Sequence, residues 1–237
     1  MRACTILDFD TQLFGYPVAR IDARDFSVAS LRQTIAELKA EDVRLAYLAV
    51  VPEDPGNTIA VNCGGQKVDS KAVYEKEISG GGALVESPRI VSYPGGVSSE
   101  PLLSLAYQSG TYSRFRTDPH FTGGEFEKLY ALWIEKSVKR EIADEVLIYT
   151  SNKTPVGLMT YSLEKDKSTI GLFSIDEKFR GQSIGRDLIL HGIAAIGRSG
   201  AKRVSVATQL DNSAACNFYS KHGFVLKTVH NVYHFWL

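Results

Sequence analysis

The stretch Thr169-Ile170-Gly171-Leu172-Phe173-Ser174-Ile175, running through Asp176-Glu177-Lys178-Phe179 into Arg180-Gly181-Gln182-Ser183-Ile184-Gly185, decides the fold. An apolar strand enters a loop of small residues, and the loop opens directly into a helix. Successive backbone N–H groups in such a loop point outward, joined by the orphan N–H groups and positive dipole end of the helix start. A pyrophosphate fits there, because small side chains let it approach closely. Arg180 and Arg186 flank the loop and can add charge-assisted contacts. Upstream, residues 145–150, 155–164 and 168–175 read as an antiparallel meander joined by turns at 151–154 and 165–167. That meander excludes the βαβ setting of a dinucleotide-binding turn.

Outward from the loop, a helix is expected over residues 183–198, stopping near Gly200. A strand over 203–207, a helix over 212–222 and strands over 225–229 and 231–236 close the chain. Before the meander, residues 89–93 read as a short strand and Ser99-Glu100-Pro101 as a helix start. A second helix over 124–139 carries Phe126, Leu129, Tyr130 and Trp133 on one face. An aromatic stripe at helical spacing reads as core, so Tyr130 and Trp133 are assigned there. The resulting class is α+β, with helices on a mixed, mainly antiparallel sheet.

The glycine run Gly80-Gly81-Gly82, followed by Ser87-Pro88, cannot hold a helix or strand cheaply and predicts a linker over 80–88. It separates a smaller N-terminal α/β domain, residues 1–79, from a domain over 89–237. In the first, strands are expected near 5–9 and 16–22, a helix over 27–40 and a buried strand over 44–51. Residues 66–78 read as paired strands turning near Asp69-Ser70-Lys71.

Composition bounds the rest. The 237 residues are 44% apolar and 23% charged, with 27 basic and 27 acidic side chains cancelling. No global field draws such a chain to nucleic acid or anionic lipid, and no apolar run reaches the ~20 residues that span a bilayer. The N-terminus lacks a signal-peptide core and the three cysteines, Cys4, Cys63 and Cys216, have no metal-ligand or disulfide spacing. A cytoplasmic protein with free thiols is the expectation. The five histidines (His120, His191, His222, His230 and His234) show no ligand spacing and are read as structural or solvated, so no metal is expected.

A second element makes the loop specific. After the strand at 203–207 comes Gln209-Leu210-Asp211-Asn212-Ser213-Ala214-Ala215-Cys216-Asn217-Phe218-Tyr219, then Gly223-Phe224. The two stretches together resemble the pyrophosphate and pantetheine motifs of the GCN5-related N-acetyltransferase (GNAT) superfamily: Arg/Gln-x-x-Gly-x-Gly/Ala, then Asn-x-x-Ala, a Tyr seven residues after the Asn, and Gly-Phe. The chain departs at Ser183, where the superfamily usually has glycine; serine restricts the backbone more. Residues 112–121 and 130–138, with Leu13-Phe14-Gly15 and Ala207-Thr208-Gln209, are similar to the dTDP-fucosamine acetyltransferases of cell-surface polysaccharide synthesis. The similarity is strong in the C-terminal part and thin before residue 80.

These resemblances imply a GNAT-like fold, acetyl-CoA as co-substrate, a nucleotide-linked amino-deoxysugar as acceptor and a homodimer. They imply cofactor contacts at Phe173, Ser174 and Ile175, whose backbone N–H groups would bind the pantetheine arm, and along Arg180, Gly181, Gln182, Ser183, Ile184, Gly185 and Arg186. Asn212 is both a natural helix cap and a candidate cofactor contact. Tyr219 falls where the superfamily has a tyrosine beside the cofactor sulfur, and Asp69 where the aminosugar enzymes have a carboxylate reaching the substrate amine. Ser113, Arg114 and Phe115 match the acceptor segment, with Arg114's planar fork suited to phosphate oxygens. Another small-molecule or protein amine as acceptor, and a non-catalytic acyl-CoA-binding module, are the alternatives.

Overall fold

The computed structural model describes residues 4–22, 26–78 and 87–237. The chain before the glycine run forms β1 (Cys4–Ile6), α1 (Asp8–Phe14), β2 (Val18–Ile21), α2 (Val28–Ala40), β3 (Leu45–Val50), α3 (Gly56–Asn62) and β4 (Gln66–Glu77). After it come β5 (Ile90–Ser92), α4 (Glu100–Ser109), α5 (Arg114–Thr117) and α6 (Glu125–Val138). The meander is β6 (Glu145–Ser151), β7 (Thr154–Glu164) and β8 (Lys167–Ile175), and the chain closes with α7 (Ile184–Arg198), β9 (Arg203–Gln209), α8 (Ser213–Lys221) and β10 (Val225–Trp236). The expected linker falls largely on residues 80–86, which lie outside the described residues.

Among the described residues ten strands make one sheet, in the order β1-β2-β3-β10-β4-β9-β8-β7-β6-β5. Only β2–β3 and β8–β9 pair in parallel; the other pairs are antiparallel. The fold is therefore α+β with a mixed, mostly antiparallel sheet, as the patterning implies. The last strand does the joining: β10 pairs with β3 along one edge and β4 along the other. The β4 strand in turn pairs with β9.

Periodic apolar positions explain the long helices. On α7, Ile184, Leu188, Ile189 and Ile196 are buried against the meander, and Gly192 lets the helix lie directly on Met159. On α6, Phe126, Leu129, Tyr130 and Ile134 are buried on the other face with α4 and α1. The third core lies under α2, whose Leu31 and Leu38 pack on β3 and on Phe235 of β10. Ser27 caps α2 reciprocally with Ser30.

Three elements differ from the sequence reading. Residues 7–9 continue no strand: β1 ends at Ile6 and α1 follows, closed by Gly15 at φ +78° with its N–H on Thr11 O. Residues 66–78 form no hairpin, because β4 is one strand held on both edges. The apparent turn is a bulge, where Val232 faces Asp69 while Tyr233 faces Lys67. The last two expected strands are likewise one strand, with a register shift between Leu226 and Thr228.

Candidate active site

The central feature is a gap in the sheet. The parallel strands β8 and β9 pair only from Lys167–Arg203 to Ile170–Val206, although both run on for several residues. At the parting point β8 bulges against β7, where Met159 faces Phe173 but Tyr161 faces Ile170. Leu172 N–H donates to Thr160 Oγ1 at 2.8 Å, and a Cβ on Gly171 would come within 2.9 Å of that hydroxyl. Glycine is thus required where the strand turns aside.

Beyond the bulge, Asp176 N–H bonds Val156 O on β7 at 2.9 Å. Alternation along an antiparallel strand then turns the N–H groups of Phe173 and Ile175 away from β7, toward the open edge. Ile175 C=O faces the same way and accepts Arg180 Nε at 3.1 Å. Two unpaired donors on one side of a wedge are suited to the amides and carbonyl of an extended acyl chain.

At the mouth of this gap, Gly181 (φ +76°) and Ser183 (φ +62°) turn the chain into α7. Asp187 N–H is bonded to Ser183 O, which leaves the N–H groups of the first helical turn unpaired within the helix. Gln108 on α4 braces the loop, accepting Glu177 N–H at 3.0 Å and Arg180 Nη2 at 3.5 Å. Across the gap Phe218 of α8 packs on Phe173, with ring centroids 5.3 Å apart, and a Cβ on Gly185 would meet it at 3.3 Å.

The outcome is a cleft of about 720 Å³ that brings together Phe173, Ser174, Ile175, Arg180, Gly181 and Ser183. Ile184, Gly185, Arg186, Asn212 and Tyr219 also line it. Gln182 is the one expected loop residue that does not. The side chain of Ser174 is turned away to Leu105 O at 2.7 Å, and Asn212 caps α8 by accepting Ala215 N–H at 3.1 Å. Lys221 joins Arg180 and Arg186 along the wall. An aromatic floor, open strand N–H groups and a cationic helix start fit a long phosphate-bearing acyl carrier, as acetyl-CoA would be.

A second cavity of about 200 Å³ continues from the cleft, sharing Ser109, Phe173, Asn212, Ala215 and Tyr219 with it. Into this cavity the fold brings Asp69 from β4 and Ser113, Arg114 and Phe115 from the start of α5. Those residues are far apart in sequence. Tyr130 and Trp133, assigned above to core alone, also line the wall, as does Lys71. Helical spacing shows only that a face is apolar; it does not say whether the face meets core or cavity.

The charges here are arranged with care for burial. Asp69 is 5% exposed and its Oδ1 has no hydrogen-bond partner. Burial pushes its carboxyl up to about 6, against the pull of Arg114 and Lys71 and with a push from Asp211. The Arg114 guanidinium lies 4.9 Å over the Tyr47 ring and 4.4 Å over the Phe115 ring, with Nε unpartnered. Tyr219 is packed among Tyr74, Phe173, Phe218 and Phe224, and burial, then Cys216, raises its phenol well above the ordinary value. It remains a proton donor throughout the neutral range.

The mixed sheet, whose central parallel strands part over a bulge with a helix start at the mouth of the gap, is a fold shared with a solved GCN5-related N-acetyltransferase. Residues 111–224 match the Acetyltransferase (GNAT) family. The spore coat polysaccharide biosynthesis protein SpsD of Bacillus subtilis (strain 168) is 24% identical over 138 residues, 58% of this chain and 47% of that protein. The chain thus spans about half the length of this curated relative. A GCN5-related N-acetyltransferase from Sphaerobacter thermophilus shares the fold at TM-score 0.64 and 13% identity, over 98% of this chain and 75% of that one. A functionally unknown conserved protein from Staphylococcus epidermidis ATCC 12228 does so at 0.67 and 16%, over 100% and 92%. No helix among the described residues is long and apolar enough to cross a membrane, and they hold no group of three or more His, Cys, Asp or Glu placed for a metal.

Proposed function

We propose that this chain transfers acetyl from acetyl-CoA to the amine of a nucleotide-linked amino-deoxysugar, a dTDP-4-amino-4,6-dideoxyhexose, in the synthesis of a surface polysaccharide. The observation that carries the reading is the convergence of Asp69, Arg114 and Tyr219 on one cavity continuous with the cleft. Similarity to a protein of spore coat polysaccharide biosynthesis supports the choice of acceptor.

Acetyl-CoA, when bound, supplies an activated carbonyl and a thiolate leaving group. The N–H groups of Phe173 and Ile175 orient it along β8 and stabilise charge on the carbonyl oxygen; one such donor is commonly worth ~3 kcal/mol. The first turn of α7, with Arg180, Arg186 and Lys221, holds the phosphates. Asp69 takes a proton from the acceptor's ammonium group, a role that suits a carboxylate poised near neutrality. Tyr219 stays protonated and donates a hydrogen bond to the departing sulfur. Arg114 and Lys71 hold the acceptor's phosphates. The separate N-terminal unit ending at residue 79 and a homodimeric assembly belong to the same proposal.

The test is direct. Purified protein is incubated with acetyl-CoA and a panel of aminosugar nucleotides while free thiol is followed. Release of thiol with a dTDP-aminohexose supports the reading. Turnover on a peptide N-terminus alone, with no sugar nucleotide accepted, sinks it.

A further inference from the structure

Asp69 stands in the wall between two cavities. One is the acceptor cavity it shares with Arg114 and Tyr219. The other, also about 200 Å³, is lined by Gln66, Lys67, Asp69, Thr117, Asp118 and Asp211 among others. Asp69 and Asp118 are buried there, whereas Gln66, Lys67, Thr117 and Asp211 are exposed. This second cavity therefore has a buried carboxylate floor and a solvent rim. Asp69 reaches it because of the β4 bulge, and because the β4–β9 ladder ends at Lys71 opposite Gln209, followed by Leu210 N–H on Ser70 O.

We propose that this cavity floored by Asp118 is the proton exit of the transfer reaction: Asp69 receives a proton on its acceptor side and releases it to water on the side rimmed by Asp211. The inference rests on the reading of Asp69 as base. Acetylation of an ammonium group by a thioester yields an amide, a thiol and one net proton. One N–H bond breaks as an O–H bond forms on Asp69. A second N–H proton goes to the departing sulfur, and the Asp69 O–H must break again before the next turnover. With both substrates in place they fill the cleft and the acceptor cavity, so bulk water reaches Asp69 from the other side. A roomy cavity with several polar walls holds water readily.

The groups facing Asp69 set its readiness to release. Arg114 approaches from α5, Lys71 from its own strand and Gln209 from β9, and all three favour the carboxylate. Asp211, from the β9–α8 connection, favours the protonated form. Lys67 and Asp118 face it across the second cavity. Asp211 touches no substrate in this arrangement; it is a positioning residue, acting through Asp69.

The experiment combines three kinds of variant with two readouts: carboxyl titration of Asp69 by carbon NMR in the free protein, and the pH profile and solvent isotope effect of turnover. Asp211→Asn is expected to move the Asp69 midpoint and the acid limb of kcat/KM to lower pH together. Thr117→Phe and, independently, Lys67→Trp narrow the rim; each is expected to lower kcat severalfold and raise the isotope effect with acetyl-CoA affinity unchanged by calorimetry. Asp69→Asn separates the two readings. Full activity in Asp69→Asn removes the base and the exit together. An inactive Asp69→Asn, beside rim variants of unchanged kcat and an Asp211→Asn of unchanged midpoint, overturns the exit alone.

Discussion

His234 Nδ1 donates to Asp118 Oδ2 at 2.6 Å with both side chains fully shielded from solvent. The same carboxylate accepts from Trp236 Nε1 at 3.0 Å and from the His120 backbone and ring at 3.0 and 2.8 Å. Asp118 directly follows α5, so this cluster clamps the segment bearing Ser113, Arg114 and Phe115 onto β10. That strand is the neighbour of β4, which carries Asp69. The cluster thereby ties the segment lining the acceptor cavity to the strand beside Asp69, while Asp118 also floors the cavity on the other side of Asp69.

Asp118→Asn should destabilise the protein by about 2–4 kcal/mol, because buried donors lose a charged acceptor. Burial alone would raise the Asp118 carboxyl, but the hydrogen bonds from His234, His120 and Trp236 hold it well below the carboxylate range. A group lowered in the folded state contributes its full stability above the unfolded value, about pH 4. It loses that contribution as pH falls from there. Thermal melts from pH 7 to 3 should show the wild type losing its advantage over Asp118→Asn at the acid end. Equal melting temperatures at pH 7 would remove the clamp.

Asp69→Asn should do the reverse for stability and leave only a residue of turnover. The folded carboxyl is raised to about 6 by burial, so holding it ionised at pH 7 costs the fold on the order of 3 kcal/mol. A raised acid stabilises the folded state while protonated, and stability declines as pH climbs from about 4 through 6. The variant should melt higher than the wild type at pH 7 and about equally at pH 4. Wild-type kcat/KM should fall below about pH 6 with unit slope, and that limb should vanish in the residual activity of the variant.

Much of this was legible in the sequence, for reasons visible in particular residues. The meander and α7 announce themselves through alternation and then helical spacing, and Ser183 marks the helix start within one residue. Asn212 is a cap, as its residue type suggests. The bulges were not legible. Nothing local in Gln66–Glu77 distinguishes a turn at Asp69 from a bulge, because the difference lies in β10 and β9 gripping the strand from both sides. The gap between β8 and β9 is equally non-local: Gly171 hints at it, but only Thr160 across the ladder explains it. Lys71, Gln108 and Asp211 carried no motif, and only tertiary placement brings them to the cavities.

Ser183→Gly should raise stability and leave cofactor binding nearly unchanged. Ser183 already adopts φ +62°, the left-handed conformation glycine would take, so the loop has the shape its N–H groups need. The strain of ~1 kcal/mol for a residue with a Cβ is present in the free and bound protein alike. It therefore cancels from the binding equilibrium. A melt should show a gain of up to about 1 kcal/mol, trimmed by glycine's extra freedom in the unfolded chain. Calorimetry should give an acetyl-CoA Kd within about threefold of wild type, since 1.4 kcal/mol would be tenfold. A much larger change would mean that the hydroxyl itself contacts phosphate.

Arg114→Gln and Arg114→Lys should part company, and their difference assigns the residue. Arg114 lines the acceptor cavity over the Tyr47 and Phe115 rings, and its charge lowers the Asp69 carboxyl. Removing the charge in Arg114→Gln leaves burial of Asp69 less opposed. The acid limb of kcat/KM should then move above about pH 6, opposite in sign to the effect of removing Asp211. Arg114→Lys keeps the charge, so the limb should stay near its wild-type position. It loses the planar fork and the stacking on the rings, however, so KM for a sugar nucleotide should rise about tenfold in both variants. A shifted limb in Arg114→Gln without a change in KM would make Arg114 a tuner of Asp69 and free the acceptor's phosphates to be held by Lys71 alone.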